Sequence, residues 1–125
     1  MFKSVLIVGI GGFIGTILRF LIARSMQANS LTLFPWSTIL INTVGCLIIG
    51  IVYGLTEKGA LIPQQWRLFL TVGICGGFTT FSTFANDALL LMNDRQWLKV
   101  SLYSTMSFVF GLVAVYFGRL FSKIF

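Results

Sequence analysis

Histidine is absent from this chain, and only three of its 125 residues are acidic. The first absence removes the usual proton shuttle and the commonest metal ligand. The second leaves no catalytic dyad and no metal cluster, which argues against an enzyme. Charge of either sign is scarce: charged residues make up 10% of the chain, where soluble domains carry roughly a quarter. Cysteine is limited to Cys46 and Cys75, both inside apolar runs. A disulfide scaffold is thereby excluded, and the two thiols read as small buried hydrophobes. What is abundant is apolar surface, with 57% hydrophobic residues, 15% aromatic residues and a mean hydropathy of +0.95. That composition rules out disorder and leaves too little polar surface to cover a domain in water, so the solvent is lipid. The length allows one domain, residues 1–125.

Four apolar stretches predict four transmembrane helices over residues 5–23, 36–55, 68–92 and 100–118, since a hydrocarbon core of about 30 Å takes roughly 20 helical residues. The connections collect polar residues and helix breakers: Ser25, Gln27, Asn29, Ser30 and Pro35, then Glu57 to Gly59 and Pro63 to Gln65, then Asn93 to Gln96. Trp36, Trp66 and Trp97 each fall at a span edge, where amphipathic rings favour the headgroup layer. Arg19 interrupts the first run and no clean cleavage site follows it, so the reading is a retained helix rather than a signal peptide.

Small residues recur at four-residue spacing: Gly11 and Gly15, Cys46 with Gly50 and Gly54, Gly73 and Gly77. In lipid such ridges let helix backbones approach closely. The run from Gly9 to Gly15 is no dinucleotide loop, because Ile14 stands where the third glycine belongs. Basic residues are nearly balanced across the membrane. Lys3, Lys58, Arg67, Arg119 and Lys123 fall on one side, and Arg19, Arg24, Arg95 and Lys99 on the other. Such a count hardly chooses an orientation, leaving open either insertion both ways with antiparallel pairing or a single orientation fixed by translocation context.

The third span carries the most chemistry. Its 25 residues would make a straight helix of about 38 Å, more than the core requires. The adjacent glycines Gly76-Gly77 and the β-branched pair Thr79-Thr80 weaken helix propensity in its middle, so a break is expected near Gly76-Gly77. Broken backbone at membrane depth must find partners in protein, water or an ion. Phe78, Phe81 and Phe84 would form one aromatic face on a helix, surrounded by Thr79, Thr80, Ser82 and Thr83. Ring edges are electropositive and hydroxyls donate hydrogen bonds, so both suit an anion. Asn42 is the one strongly polar residue of span two; its N–H groups could replace water around an anion or bond another helix. Tyr103 and Ser107 give a hydroxyl track on span four, continuing to Gly111. Arg19 could snorkel or offer a positive mouth, and Asp87 falls toward a span boundary. No carboxyl sits mid-span to couple flux to protons, so passive conduction fits better.

Three stretches, Gly11–Phe20, Ser37–Gly45 and Gly73–Phe84, make the sequence resemble the small fluoride channels of the Fluc family, also called CrcB proteins, over essentially its whole length. The resemblance implies an all-α membrane protein with four transmembrane helices per subunit, assembled as an antiparallel, dual-topology homodimer with two fluoride pores. It implies that Phe81 and Phe84 contact fluoride, that Asn42 is the polar pore residue, and that Tyr103 and Ser107 lie on the hydroxyl track. It also implies a central structural sodium ion held by the carbonyls of Gly76 and Thr79. Thr80, Ser82 and Thr83 would join the pore lining, and Arg19 would sit in the anion vestibule. The expected partners are fluoride, sodium, a second copy and the bilayer of a prokaryotic inner membrane, with no nucleic acid. The service implied is export of cytoplasmic fluoride. Gly111 and Val115 depart from a longer hydroxyl face, and Asp87 stands where glutamate is expected. A small multidrug-type antiporter would need a carboxylate in the first helix, which this chain lacks. A structural subunit of a larger complex would not account for the polar aromatic segment.

Overall fold

The computed structural model describes residues 1–29, 34–59 and 62–124; Ser30 of the first connection lies outside them. Every regular element among the described residues is helical. Helix α1 spans Phe2–Asn29 and α2 spans Trp36–Glu57. The third span is two pieces, α3 over residues 64–78 and α4 over Phe81–Asn93, and α5 spans Trp97–Ser122. All four spans are long and apolar enough to cross a membrane. They outrun the expected bounds by up to six residues at an end, because helical geometry continues into the headgroup layer where hydropathy has already faded. The three edge tryptophans are exposed at the start of α2, in the first turn of α3 and at the start of α5.

The small-residue ridges are packing faces, as their spacing suggests. α1 lies against α3 so closely that a Cβ on Gly11 would meet the Phe69 carbonyl oxygen at 2.7 Å and Gly73 Cα at 2.9 Å. One on Gly77 would meet the Gly12 carbonyl oxygen at 2.5 Å. α2 and α5 pack in the same way, with Gly50 on the Val115 backbone and Gly118 on that of Leu47. An ion pair between Arg119 and Glu57 closes that helix pair at its exposed end. Cys75 is buried and Cys46 half-buried, and both are free thiols.

The break in the third span is real but lies at Thr79-Thr80, three residues beyond the start of the expected glycine pair. Gly76 and Gly77 are helical, while Thr79 (φ −79°, ψ 157°) and Thr80 (φ −150°, ψ 119°) are extended. The physical reason is division of labour. Gly77 is taken up by the close approach to α1, and β-branched threonines take up extended backbone readily. A consequence corrects the single aromatic face. Phe78 ends the first half-helix and is buried, whereas Phe81 begins the second and is 79% exposed, so the two do not share a face. Leu68–Cys75 winds as a π-helix, a feature that nothing in the sequence flags.

The core is small. Ile39, Leu91, Val100 and Tyr103 are buried where α2, α4 and α5 meet, with Phe34, Phe84, Ala88 and Met106 packed around them. Ile41, Val52 and Phe78 are buried outside that cluster, while most other large apolar side chains point outward, as expected of a chain whose solvent is acyl tails or another helix.

Candidate functional site

Two helices supply the partners that the broken backbone needs. From α2, the Asn42 amide pairs with the main chain of Thr80: the Thr80 N–H donates to Oδ1 at 2.8 Å, and Nδ2 donates to the Thr80 carbonyl at 3.0 Å. From α1, Arg19 Nε donates to the Gly77 carbonyl at 3.1 Å, with Thr16 Oγ1 at 3.5 Å from the same oxygen. A cation at the carbonyl end of a helix is favoured by about 1 kcal/mol, more when partly buried. Left bare in hydrocarbon, such groups would cost several kcal/mol each.

The second half-helix starts with a hydroxyl cluster. Thr80 Oγ1 caps α4 by accepting the Thr83 N–H at 3.2 Å and donates to Thr83 Oγ1 at 3.1 Å. Ser82 Oγ stands 3.5 Å from the same Thr80 oxygen. Thr80 is thus a cap of the S/T type, worth about 1 kcal/mol. Ser82 and Thr83 are exposed. Exposed hydroxyls thus stand at the positive end of a helix, an arrangement suited to an anion.

These groups border an open cleft of about 1010 Å³ whose lining includes Arg19, Arg24, Thr38, Thr80, Thr83 and Asp87. Phe81 and Phe84 follow on α4 with ring centroids 5.8 Å apart. Phe81 stands out from the chain, and Phe84 leans on Tyr103 with ring centroids 5.0 Å apart.

Span four is arranged differently from an open track. Tyr103 is fully buried, and its hydroxyl donates to Asp87 Oδ2 at 3.0 Å. Thr38 Oγ1 donates to the same oxygen at 2.9 Å. Asp87, read from sequence as lying toward a boundary, is therefore a half-buried acceptor tying α2, α4 and α5 together, and it commits the Tyr103 proton. Ser107 Oγ is buried with no hydrogen-bond partner, so its proton is uncommitted.

The structure thus gathers Arg19, Asn42, Gly76, Thr79, Thr80, Ser82, Thr83, Phe81 and Phe84 around one break, with Tyr103 behind Phe84 and Ser107 one turn further along α5. Asn42 serves as an interhelical clamp and keeps one amide proton outside that pairing. Thr16 and Thr38 join the site unforeseen; a hydroxyl four residues before Asn42 and another three before Arg19 were the available signals.

A family model described as CrcB-like protein, Camphor Resistance (CrcB), matches residues 6–119. The chain is 41% identical over 116 residues to a protein of Phocaeicola vulgatus named fluoride-specific ion channel FluC, covering 93% of this chain and 95% of that one. A protein of the same name from Prosthecochloris aestuarii is 40% identical over 123 residues, covering 98% and 95%. One from Methanosarcina barkeri, named fluoride-specific ion channel FluC 3, is 40% identical over 116 residues, covering 93% and 87%.

Proposed function

The chain belongs to the CrcB family, and on that footing we propose that it is a fluoride-selective channel, a passive conductor rather than an enzyme, that releases cytoplasmic fluoride across a membrane. The observation that carries the reading is the broken third span, whose hydroxyl-bearing end opens on the cleft with no fixed carboxylate mid-pathway except the engaged Asp87.

Fluoride is small and strongly hydrated, so a narrow path must replace its water with donors of comparable strength. Ser82 and Thr83 hydroxyls at the start of α4 meet the anion first, helped by the helix end. The edges of Phe81 and Phe84 continue the path without a full charge. The remaining Asn42 amide proton and the Ser107 hydroxyl are further donors. Binding by uncharged groups stays weak enough for exit, which conduction requires. Arg19 and Arg24 at the cleft raise the local anion concentration.

The same break fits a hard cation. In a continuous helix the Gly76 carbonyl would accept from the Thr80 N–H and the Thr79 carbonyl from the Thr83 N–H. Those donors instead go to Asn42 and to Thr80 Oγ1. Two carbonyl oxygens are thereby freed at the break. Gly76 and Thr79 would hold a sodium ion there, which when bound supplies positive charge that keeps the carbonyls together. Two oxygens are fewer than such an ion takes, so the reading includes a homodimer whose second copy brings the matching pair. Near-balanced basic residues support insertion in both orientations and antiparallel pairing. Bacterial and archaeal relatives support a prokaryotic inner membrane as the location.

Fluoride efflux from proteoliposomes, with chloride as control, tests conduction. Labelling of tagged termini from each membrane face tests orientation, and strictly one-sided labelling contradicts dual insertion.

A further inference from the structure

We infer that Arg19 is a positioning residue of the helix break, and that it acts through its Nε–H on the Gly77 carbonyl rather than chiefly through its charge. The proposal rests on the reading that the break forms the channel's ion-binding centre.

Consecutive glycines leave the peptide planes at the end of α3 free to rotate, because glycine adopts both signs of φ with little penalty. The Gly76 carbonyl, freed because the Thr80 N–H goes to Asn42, can keep one direction only if the next peptide is held. Arg19 holds it: Nε lies 3.1 Å from the Gly77 oxygen, and the Gly12 backbone pressed on Gly77 blocks movement on the α1 side. Thr16 Oγ1, at 3.5 Å, is at the limit of hydrogen bonding and adds little. Asn42 fixes the far side of the break at Thr80. The two clamps, from α1 and α2, bracket the freed carbonyl. The bond uses the nitrogen nearest the chain, and Arg19 also lines the cleft.

That choice of atom makes the inference testable. Glutamine places its amide nitrogen at the same chain position as arginine Nε, so Arg19→Gln keeps the donor and removes the charge. Arg19→Met removes both, and Arg19→Lys keeps the charge on a different atom. Each variant is measured as the purified full-length protein in detergent, by the sodium-dependent rise in melting temperature, and in liposomes, by fluoride efflux. Arg19→Gln is expected to keep a sodium response within about threefold of wild type, with efflux lowered only by the lost cleft charge, and Arg19→Met to lose about tenfold in the sodium response and to conduct less than Arg19→Gln, as fits loss of a hydrogen bond to a partly buried carbonyl. Equal values for the Gln and Met variants, at whatever level, overturn the inference; recovery by Lys alone shows that charge is what matters. Wild-type protein that passes no fluoride sinks the channel reading separately, while the sodium response still judges the clamp. Absence of both wild-type responses overturns both.

Discussion

Asn42 and Thr80 exchange two hydrogen bonds, side chain to main chain, much as two strands pair: Thr80 N–H to Oδ1 at 2.8 Å and Nδ2 to the Thr80 carbonyl at 3.0 Å. The amide is the only common side chain short enough for this position that donates and accepts in one plane. It therefore lets the third span leave helical geometry inside a membrane without stranding a peptide group.

Asn42→Asp keeps the acceptor for the Thr80 N–H but sets a carboxylate oxygen against the Thr80 carbonyl and near the anion path. We expect fluoride efflux to fall at least about tenfold and stability to drop by about 1–3 kcal/mol, the cost of a buried polar group left without its partner. Efflux assays and denaturation in detergent check both; wild-type values in either would show that the pairing is dispensable.

Phe81→Ile and Phe84→Ile separate function from packing. Phe81 is 79% exposed, so its loss should leave stability within about 0.5 kcal/mol. Phe84 packs on Tyr103, so its loss should cost about 1 kcal/mol. Both variants should remain folded and lose about tenfold or more in efflux, the worth of a favourable ring contact. Unchanged efflux in both contradicts the pore assignment.

The turn between α4 and α5 carries avoidable strain. Arg95 has φ 59°, with its N–H bonded to the Met92 carbonyl and the Gln96 N–H to that of Leu91, the double bond of a Schellman ending. Glycine suits that conformation better, so Arg95→Gly should raise stability by about 0.5–1 kcal/mol. A higher melting temperature in detergent checks this; a lower one would mean that the Arg95 side chain contributes more than its backbone costs.

Four spans and their order were legible because twenty-residue apolar runs have few other physical explanations. That the third span breaks was legible too, since 25 apolar residues exceed what the bilayer needs. The place of the break was not. Propensity ranks glycine as the weaker helix former, but contact with α1 holds Gly77 helical with Gly76 beside it, and the extended residues are Thr79 and Thr80. Polar residues in the spans marked the site, yet their assignments depend on partners far apart in sequence. Nothing near Asn42 says that it faces Thr80, and nothing near Asp87 says that Thr38 and Tyr103 converge on one of its oxygens. The π-helical turn run of Leu68–Cys75 likewise has no local signature.

The most direct measurement is fluoride loss from liposomes holding the purified wild-type protein, with membrane voltage released by a potassium ionophore and equal pH on both sides. Rapid fluoride efflux that depends on the ionophore, with chloride retained, is the result expected of uncharged donors conducting a dehydrated halide. Fluoride movement that appears only when a proton gradient is imposed, or chloride passing equally well, would contradict it.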